Sequence, residues 1–317
     1  MDISVIIPLY NEEESLPSLF EWIRRVMGEN RFSYELIFVD DGSFDGSWEI
    51  IEKLKADFPD IVRGLKFRHN YGKSPALYCG FQLAKGEVVI TMDADLQDSP
   101  DEIPALYAMI KNEDYDLVSG WKKKRHDSKL AKNLPSKLYN AVARKVTGLK
   151  LHDMNCGLKA YKNEVVKNVE VYGDMHRYIP YLAKNAGFSK IGEKIVEHRK
   201  REFGATKFGM NRFVNGYLDL LTAWFLAKFG KKPMHLFGLI GSLMFFIGVV
   251  MVVIVGANKL IALGSHIPAP LVTNSPYFYI ALVSMILGTQ LFLTGFLAEI
   301  IARNSSERNK YQIEKTI

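Results

Sequence analysis

The sequence predicts an α/β domain built on a mostly parallel sheet, followed by an interfacial helix and two C-terminal transmembrane helices. Three observations predict it. In residues 1–210, short apolar runs alternate with helical stretches of about 10–15 residues, the pattern of βαβ units. From Asn211 to Phe229, the residues Phe213, Tyr217, Leu220, Leu221, Trp224 and Phe225 recur at helical spacing beside a membrane-type segment. From Pro233 to Ala298 the only formal charge is Lys259. Composition averaged over all 317 residues, 48% hydrophobic and 24% charged, describes neither half, and the mean hydropathy near zero hides the split. The apolar content excludes intrinsic disorder. Two cysteines, Cys79 and Cys156, exclude a disulfide scaffold and fit a reducing compartment as small buried hydrophobes.

The elements follow in order. Ile3 to Leu9 is an apolar run ending near Pro8, and Asn11 is placed to cap a helix starting in EEESLPSLFEWI. Tyr34 to Val39 is a second strand, followed by the turn from Asp40 to Ser43 and a helix through Leu54. Ile61 to Phe67 is a third strand, Gly72 to Ala84 a helix, Glu87 to Met92 a fourth, buried strand, and Tyr115 to Ser119 a fifth. The chain enters its first strand with no basic n-region and no cleavage site, so this portion is expected to stay in the cytoplasm.

The C-terminal part reads as residues 211–232, a juxtamembrane amphipathic helix; 233–300, two spans; and 301–317, a cytoplasmic tail. Met234 to Val255 and Tyr277 to Ala298 each run about 22 residues without a formal charge. That suffices for roughly 30 Å of hydrocarbon. Pro268, Pro270 and Pro276 break the connection between them. Lys228, Lys231 and Lys232 precede the first span and Arg303, Arg308 and Lys310 follow the second, whereas the connecting loop carries only Lys259 and His266. The positive-inside rule therefore predicts a cytoplasmic N-terminal domain and cytoplasmic termini.

In a parallel α/β sheet the ligand sits beyond the carboxyl ends of the strands. Tyr10, Asn11 and Glu12 follow the first strand, Asp40 and Asp41 the second, and Asp93 and Asp95 the fourth. Asn11 and Glu12 alone read equally well as a helix cap, and Asp40 and Asp41 as an Asx-type turn. Two carboxylates one residue apart after EVVITM, followed by Gln97, are hard oxygen donors that leave coordination positions for phosphates. They suit Mg²⁺ or Mn²⁺ holding a nucleotide diphosphate. The basic residues Lys122, Lys123, Lys124, Arg125, Lys129, Lys132 and Lys137, and the segment from His198 to Lys207, then read as partners of phosphates or of an anionic bilayer, and no nucleic-acid partner is expected. The first strand leads into NEEE with no GxGxxG, which excludes a dinucleotide oxidoreductase.

With these residues set out, the chain resembles the inverting glycosyltransferases of family 2 with a GT-A fold, and among them the polyprenyl-phosphate sugar transferases, the group of dolichyl-phosphate mannose synthases and bacterial undecaprenyl-phosphate glucosyltransferases. The likeness is carried by PLYNEEESL, VDDGSFDGS, RHNYGKSPAL, DADLQDSP, LPSKLYN, DMNCGLKAY and HRKREFGATKFG. It implies that Pro8, Tyr10, Asn11, Glu12, Asp40 and Asp41, with Lys73, Arg201 and Lys207, bind a nucleotide-sugar donor. It implies that Asp93, Asp95 and Gln97 form the metal-and-pyrophosphate motif for Mg²⁺ or Mn²⁺, with Asp95 and Gln97 as ligands. Lys122, Lys132, Ser136 and Lys137 fall where the acceptor phosphate is held, Lys122 and Lys132 being counted with the catalytic set. Lys122 and Lys159 stand where arginine is frequent, so phosphate contacts there are single rather than forked. The activity implied is metal-dependent transfer of a sugar, UDP-glucose being the expected donor by analogy, to undecaprenyl or dolichyl phosphate with inversion. The implied setting is a bacterial inner membrane and a homo-oligomer, a tetramer by analogy. The rivals are a membrane-anchored glycosyltransferase with a non-lipid acceptor and a non-catalytic nucleotide-sugar-binding subunit. A processive polysaccharide synthase is disfavoured because no QxxRW occurs.

Overall fold

A computed structural model describes residues 1–123, 144, 147–171, 173, 175–199, 222, 225, 229, 233–265, 271–304 and 313–316. It divides into Met1–Ala223 with Arg308–Ile317, and Trp224–Glu307. The division falls inside the expected juxtamembrane segment, of which Thr222, Phe225 and Phe229 are described, each in helical conformation.

The first unit is built on one sheet. Its strands are β1 (Ile3–Leu9), β2 (Tyr34–Asp40), β3 (Val62–Phe67), β4 (Val88–Thr91), β5 (Leu117–Trp121), β6 (Lys159–Lys162), β7 (Ile191–Ile195) and β8 (Ile313–Thr316). Their order is β7-β5-β6-β4-β1-β2-β3-β8. β1 pairs in parallel with β2 and β4, β2 with β3, and β5 with β7; β6 runs antiparallel to both β4 and β5. The central strands are apolar on both faces because helices cover both. Ile3, Val5, Ile7, Leu36 and Phe38 pack under α1 (Leu16–Glu29), α2 (Ser47–Asp57) and α4 (Ile103–Lys111). Ile6, Ile37, Val39 and Val89 pack under α3 (Lys73–Leu83), α5 (Asn163–Asn168) and α6 (Ile179–Asn185).

The expected five strands form, with boundary shifts: the second runs on to Asp40 and the fifth covers Leu117–Trp121. The cap at Asn11 is corrected. α1 begins at Leu16, after Ser15, with a proline in its first turn. Asn11 instead adopts left-handed backbone (φ 53) and turns toward the end of β2. The segment expected as a tail contributes β8, antiparallel to β3 at the sheet edge, with Leu65 opposite Thr316 and Phe67 opposite Ile313.

One buried acid lies away from the site. Glu35, at the amino end of β2, accepts from Ser4 Oγ (2.6 Å) and Lys85 N (2.7 Å) and meets Arg63 Nη1 at 3.1 Å. Its charge is fully partnered and fixes the start of the sheet.

The second unit is a pair of helices, α7 (Met234–Gly264) and α8 (Pro276–Asn304). A Cβ at Gly241 would lie 2.6 Å from the Gly288 carbonyl oxygen, and one at Gly288 2.6 Å from that of Gly241. Glycine at both positions lets the two backbones touch. Only 17% of the most apolar window of either helix is buried, and Leu239, Phe246, Val253, Ile280, Leu293 and Phe296 are exposed. Both helices are long and apolar enough to cross a membrane, and their apolar side chains are turned outward.

Candidate active site

The carboxyl ends of β1, β2 and β4 lie side by side, and polar contacts tie their loops together. Asp41 N donates to the Leu9 carbonyl at 2.9 Å. Asn11 N donates to Ser43 Oγ (2.9 Å), Phe44 N donates back to Asn11 Oδ1 (2.9 Å), and Glu12 N donates to Ser47 Oγ (3.0 Å). Tyr10 meets Phe44 edge-on, with ring centroids 6.3 Å apart. Pro8 sits within β1, in register with Val39.

Asp40 is buried. It accepts from Ser43 N at 2.8 Å, an Asx-type turn, and Lys66 Nζ stands 3.9 Å away. Burial raises its carboxyl above the usual range. Asp41 accepts from two backbone amides of the next loop, Tyr71 N at 2.7 Å and Gly72 N at 2.8 Å. Burial nonetheless pushes it up to about 6. Gly42 holds a φ of 75°, and a Cβ there would lie 2.7 Å from the His69 carbonyl carbon, so only glycine lets the two loops meet.

β4 runs into the acidic loop. Asp93 is paired with Lys73 at the start of α3. Burial works against its charged form, but Lys73, Lys122 and Lys159 outweigh that and hold the carboxyl well below the usual range. Leu96 takes left-handed backbone (φ 59), which turns the loop so that Gln97 N donates to Asp95 Oδ1 at 3.2 Å. Gln97 Nε2 points to the Arg199 carbonyl at 3.5 Å, and Arg199 N donates to the Gln97 carbonyl at 3.0 Å. Asp95 and Gln97 thus offer hard oxygens two residues apart, a donor set that fits Mg²⁺ or Mn²⁺ bound chiefly by phosphates. Among the described residues no cluster of three His, Cys, Asp or Glu side chains forms a protein-only metal cage.

Lys122 points inward. Its ammonium lies 2.7 Å from Asp98, which has no exposed surface. Burial disfavours its charge, but Asp98 outweighs burial and keeps Lys122 protonated. Lys132, Ser136, Lys137, Arg201 and Lys207 lie outside the described residues.

Sequence reasoning named Lys73 and Lys159 but missed Asn155, His176 and Arg177 and the wall that these residues form facing Asp93. β6 enters beside β4, with Lys159 opposite Thr91, and a Cβ at Gly157 would lie 2.4 Å from Asp93 Oδ2. Lys73, Asn155, Lys159, Tyr161, His176 and Arg177 line a recess there of about 250 Å³ counted to its mouth. The segment DMNCGLKAY carries part of this wall, but spacing alone does not place it beside DADLQ. The antiparallel return does.

A family model described as "Glycosyl transferase family 2" matches residues 4–170, which hold every strand end just described. The chain belongs to glycosyltransferase family 2. This family 2 glycosyltransferase is 34% identical over 304 residues to the dodecaprenyl-phosphate galacturonate synthase of Rhizobium johnstonii, across 96% of this chain and 88% of that one. It is 35% identical over 319 residues to the undecaprenyl-phosphate 4-deoxy-4-formamido-L-arabinose transferase of Pectobacterium carotovorum subsp. carotovorum, across 100% of this chain and 94% of that one. Among solved structures it is similar to glucosyl-3-phosphoglycerate synthase from Mycobacterium tuberculosis in complex with UDP, with a TM-score of 0.54 and 19% identity over 71% of this chain and 79% of the other. The same enzyme with Mn²⁺, UDP-glucose and phosphoglyceric acid gives 0.52 at 19% identity, over 71% and 79%. These structural likenesses establish the GT-A fold.

Proposed function

We propose that this glycosyltransferase moves a sugar from a nucleoside-diphosphate sugar to a polyprenyl phosphate at the cytoplasmic face of a membrane, with inversion at the anomeric carbon. The observation that carries the reading is the pairing of the Asp95 and Gln97 oxygens with the lysine-rich wall at one sheet edge, in a chain that also holds two membrane-type helices. Two polyanions, the donor diphosphate and a lipid phosphate, need this combination. Both relatives carry a polyprenyl phosphate in their names.

The interlocked loops after β1 and β2, with Pro8, Tyr10, Asn11, Glu12, Asp40 and Asp41, hold the nucleoside; Lys73, Arg201 and Lys207 take the donor phosphates. Asp95 and Gln97 would hold the divalent ion, Mg²⁺ or Mn²⁺, which supplies neutralising charge for the departing diphosphate. Asp93 orients Lys73. The acceptor needs no general base: a phosphate monoester has a second pKa near 6, so its oxygen is already an anion at neutral pH. Lys132, Ser136 and Lys137 bring that oxygen to the sugar face opposite the diphosphate, and Lys122 braces the acidic loop from behind. Donor and acceptor are both held, so much of the rate comes from positioning.

The expectation of glucose rests on analogy alone, and the two relatives are named for a galacturonate and a formamido-arabinose. We assign both termini and the catalytic unit to the cytoplasmic side of a bacterial inner membrane. The lysines and arginines flanking the helices support the cytoplasmic side, and the return of β8 to β3 supports both ends lying on one side.

The test is label transfer from a panel of nucleotide sugars to polyprenyl phosphate in detergent, followed by organic extraction. Label enters the lipid phase with one class of donor, and both a chelator and Asp95→Ala reduce it by at least about 100-fold. Metal-dependent donor binding with no lipid-phase label from any donor would overturn the lipid acceptor in favour of a soluble one. No donor binding at all would leave a non-catalytic subunit.

A further inference from the structure

We propose that Trp22, on α1, is a positioning residue for the donor's divalent ion: acting through Arg199, it holds the loop that carries Gln97 in the geometry the ion needs. This rests on the transfer reading for the ion and the nucleotide. It goes beyond that reading in naming a residue outside the site that sets how much the ion tightens nucleotide binding.

The acidic loop is stitched along its length to the run that follows β7. Arg199 N donates to the Gln97 carbonyl at 3.0 Å, and Asp98 and His198 form an antiparallel bridge. Glu197 N donates to Glu102 Oε1 at 3.0 Å, and Lys194 pairs with the same carboxylate. Residues 97–102 and 194–199 thus run side by side as a short antiparallel ribbon. Glu102 fastens one end of it. Gln97 and Arg199 form the other end, where Gln97 N also donates to Asp95 Oδ1 at 3.2 Å.

Trp22 touches both sides of this ribbon. Its Nε1 donates to Asp101 Oδ1 at 3.1 Å on the acidic side. The guanidinium carbon of Arg199, on the other side, lies 4.2 Å from the centroid of the indole ring. Trp gives the strongest of the cation–aromatic contacts, and this one is close. The ring is itself fixed, because it packs partly buried against the apolar core that α1 covers. Arg25 Nη2 donates to the same Asp101 oxygen at 3.0 Å, and Ser99 Oγ donates to the other at 3.3 Å. One indole therefore ties together the two strands of the ribbon.

The division of labour within Arg199 decides the direction of the effect. Its side chain is engaged by Trp22 and by Glu197, 3.4 Å from Nε, while its backbone bonds Gln97. The indole N–H offers an ion no lone pair, so Trp22 acts on the ion only through its neighbours. A ligand carried on a loop must be ordered when the ion binds, and that ordering subtracts from affinity. Groups behind a metal ligand change its affinity by fixing its orientation in advance. Lys122 braces this loop from beneath through Asp98, and Trp22 braces it from the α1 side.

The experiment uses the full chain in detergent without acceptor lipid. UDP, GDP and CDP are titrated with Mn²⁺ and again with chelator, and the readout is the factor by which Mn²⁺ tightens the best-bound nucleotide. Trp22→Leu lowers that factor by at least about threefold, while affinity in chelator moves less than about twofold. Trp22→Phe, which keeps an aromatic face and loses the Nε1 bond, retains most of it. Arg199→Met lowers the factor as Trp22→Leu does, and the double variant goes no further than either alone. Arg199 is exposed, so Arg199→Met carries the test if Trp22→Leu does not fold. An unchanged factor in either single variant would overturn the proposal. A fall of the chelator affinity in step with the Mn²⁺ value would overturn it by showing damage to the nucleotide pocket as a whole. Additive losses in the double variant would overturn it by giving Arg199 a contact of its own with the diphosphate. No Mn²⁺-dependent binding of any of the three nucleotides by the unaltered protein would remove the transfer reading and this proposal with it, whereas a metal effect that the variants keep removes this proposal alone.

Discussion

Lys122 and Asp41 show how two residues flagged for ligand contact serve the site by holding its loops. Lys122 neutralises Asp98, which is wholly buried under the acidic loop. Removing one member of a buried pair costs about 3–5 kcal/mol because the other charge is left stranded. Lys122→Met is therefore expected to lower the thermal midpoint of the catalytic unit by roughly 6–20 °C, and adding Asp98→Asn should recover most of that. A recovery in stability without a recovery in turnover would show that the lysine also meets a substrate. Asp41 accepts two amides of the following loop, yet burial pushes its carboxyl up to about 6. The unfolded chain releases this proton near pH 4 and the folded chain near pH 6. Between those values the folded state binds more protons, so this residue's contribution to stability falls as pH rises, by about 3 kcal/mol in all. Asp41→Asn loses one amide contact at every pH but has no such slope. The midpoint of the variant minus that of the unaltered protein should grow from pH 4 to pH 6 and level off above; a flat difference would remove the assignment.

At the scale of elements, legibility in the sequence tracked how completely a segment is buried. β1, β2, β4 and β5 are largely apolar because helices cover both faces of the sheet, and they, like β3 with its Arg63 and Lys66, were visible within a residue or two. β6 and β7 carry KAYK and IGEKI, alternating segments whose strand character comes from pairing partners far away in the chain. Local composition gives no sign of β8. The candidate site split the same way: Asp93, Asp95 and Gln97 were legible because they directly follow a buried strand. In the facing wall Lys159 was legible only through the family likeness, and Asn155, His176 and Arg177 were not legible, because nothing local in the sequence sets them beside DADLQ until the antiparallel return of β6 does. β8 also carries a prediction. Ending the chain at residue 312 removes the partner of Leu65 to Phe67. Amide exchange at those β3 positions should accelerate by at least about tenfold, with β1 and β4 unchanged, since opening at a sheet edge is local. Unchanged protection would show that the edge is held by something other than β8.

For the whole molecule, the proposed acceptor gives the two-helix hairpin its part in the chemistry. The polyprenyl chain of that acceptor stays in the bilayer, so on this reading the catalytic unit gains effective concentration from being tethered there. The orientation is testable because the native cysteines, Cys79 and Cys156, are both buried. Ser265→Cys, between the helices, should react in intact cells with a membrane-impermeant maleimide, while Thr316→Cys should react only after lysis. The reverse pattern would invert the assignment.

The antiparallel pairing of β8 with β3 has a consequence in time. Translation reaches β8 only after both helices have been made, so the nascent catalytic sheet keeps an open edge along Leu65 to Phe67 while the hairpin is inserting. A chain whose hairpin crosses an odd number of times delivers its final strand to the wrong compartment and cannot close that edge. A chain with an odd number of crossings is left with the kind of unpaired strand that quality-control proteases and aggregation both act upon, whereas a chain inverted as a whole still brings β8 to β3.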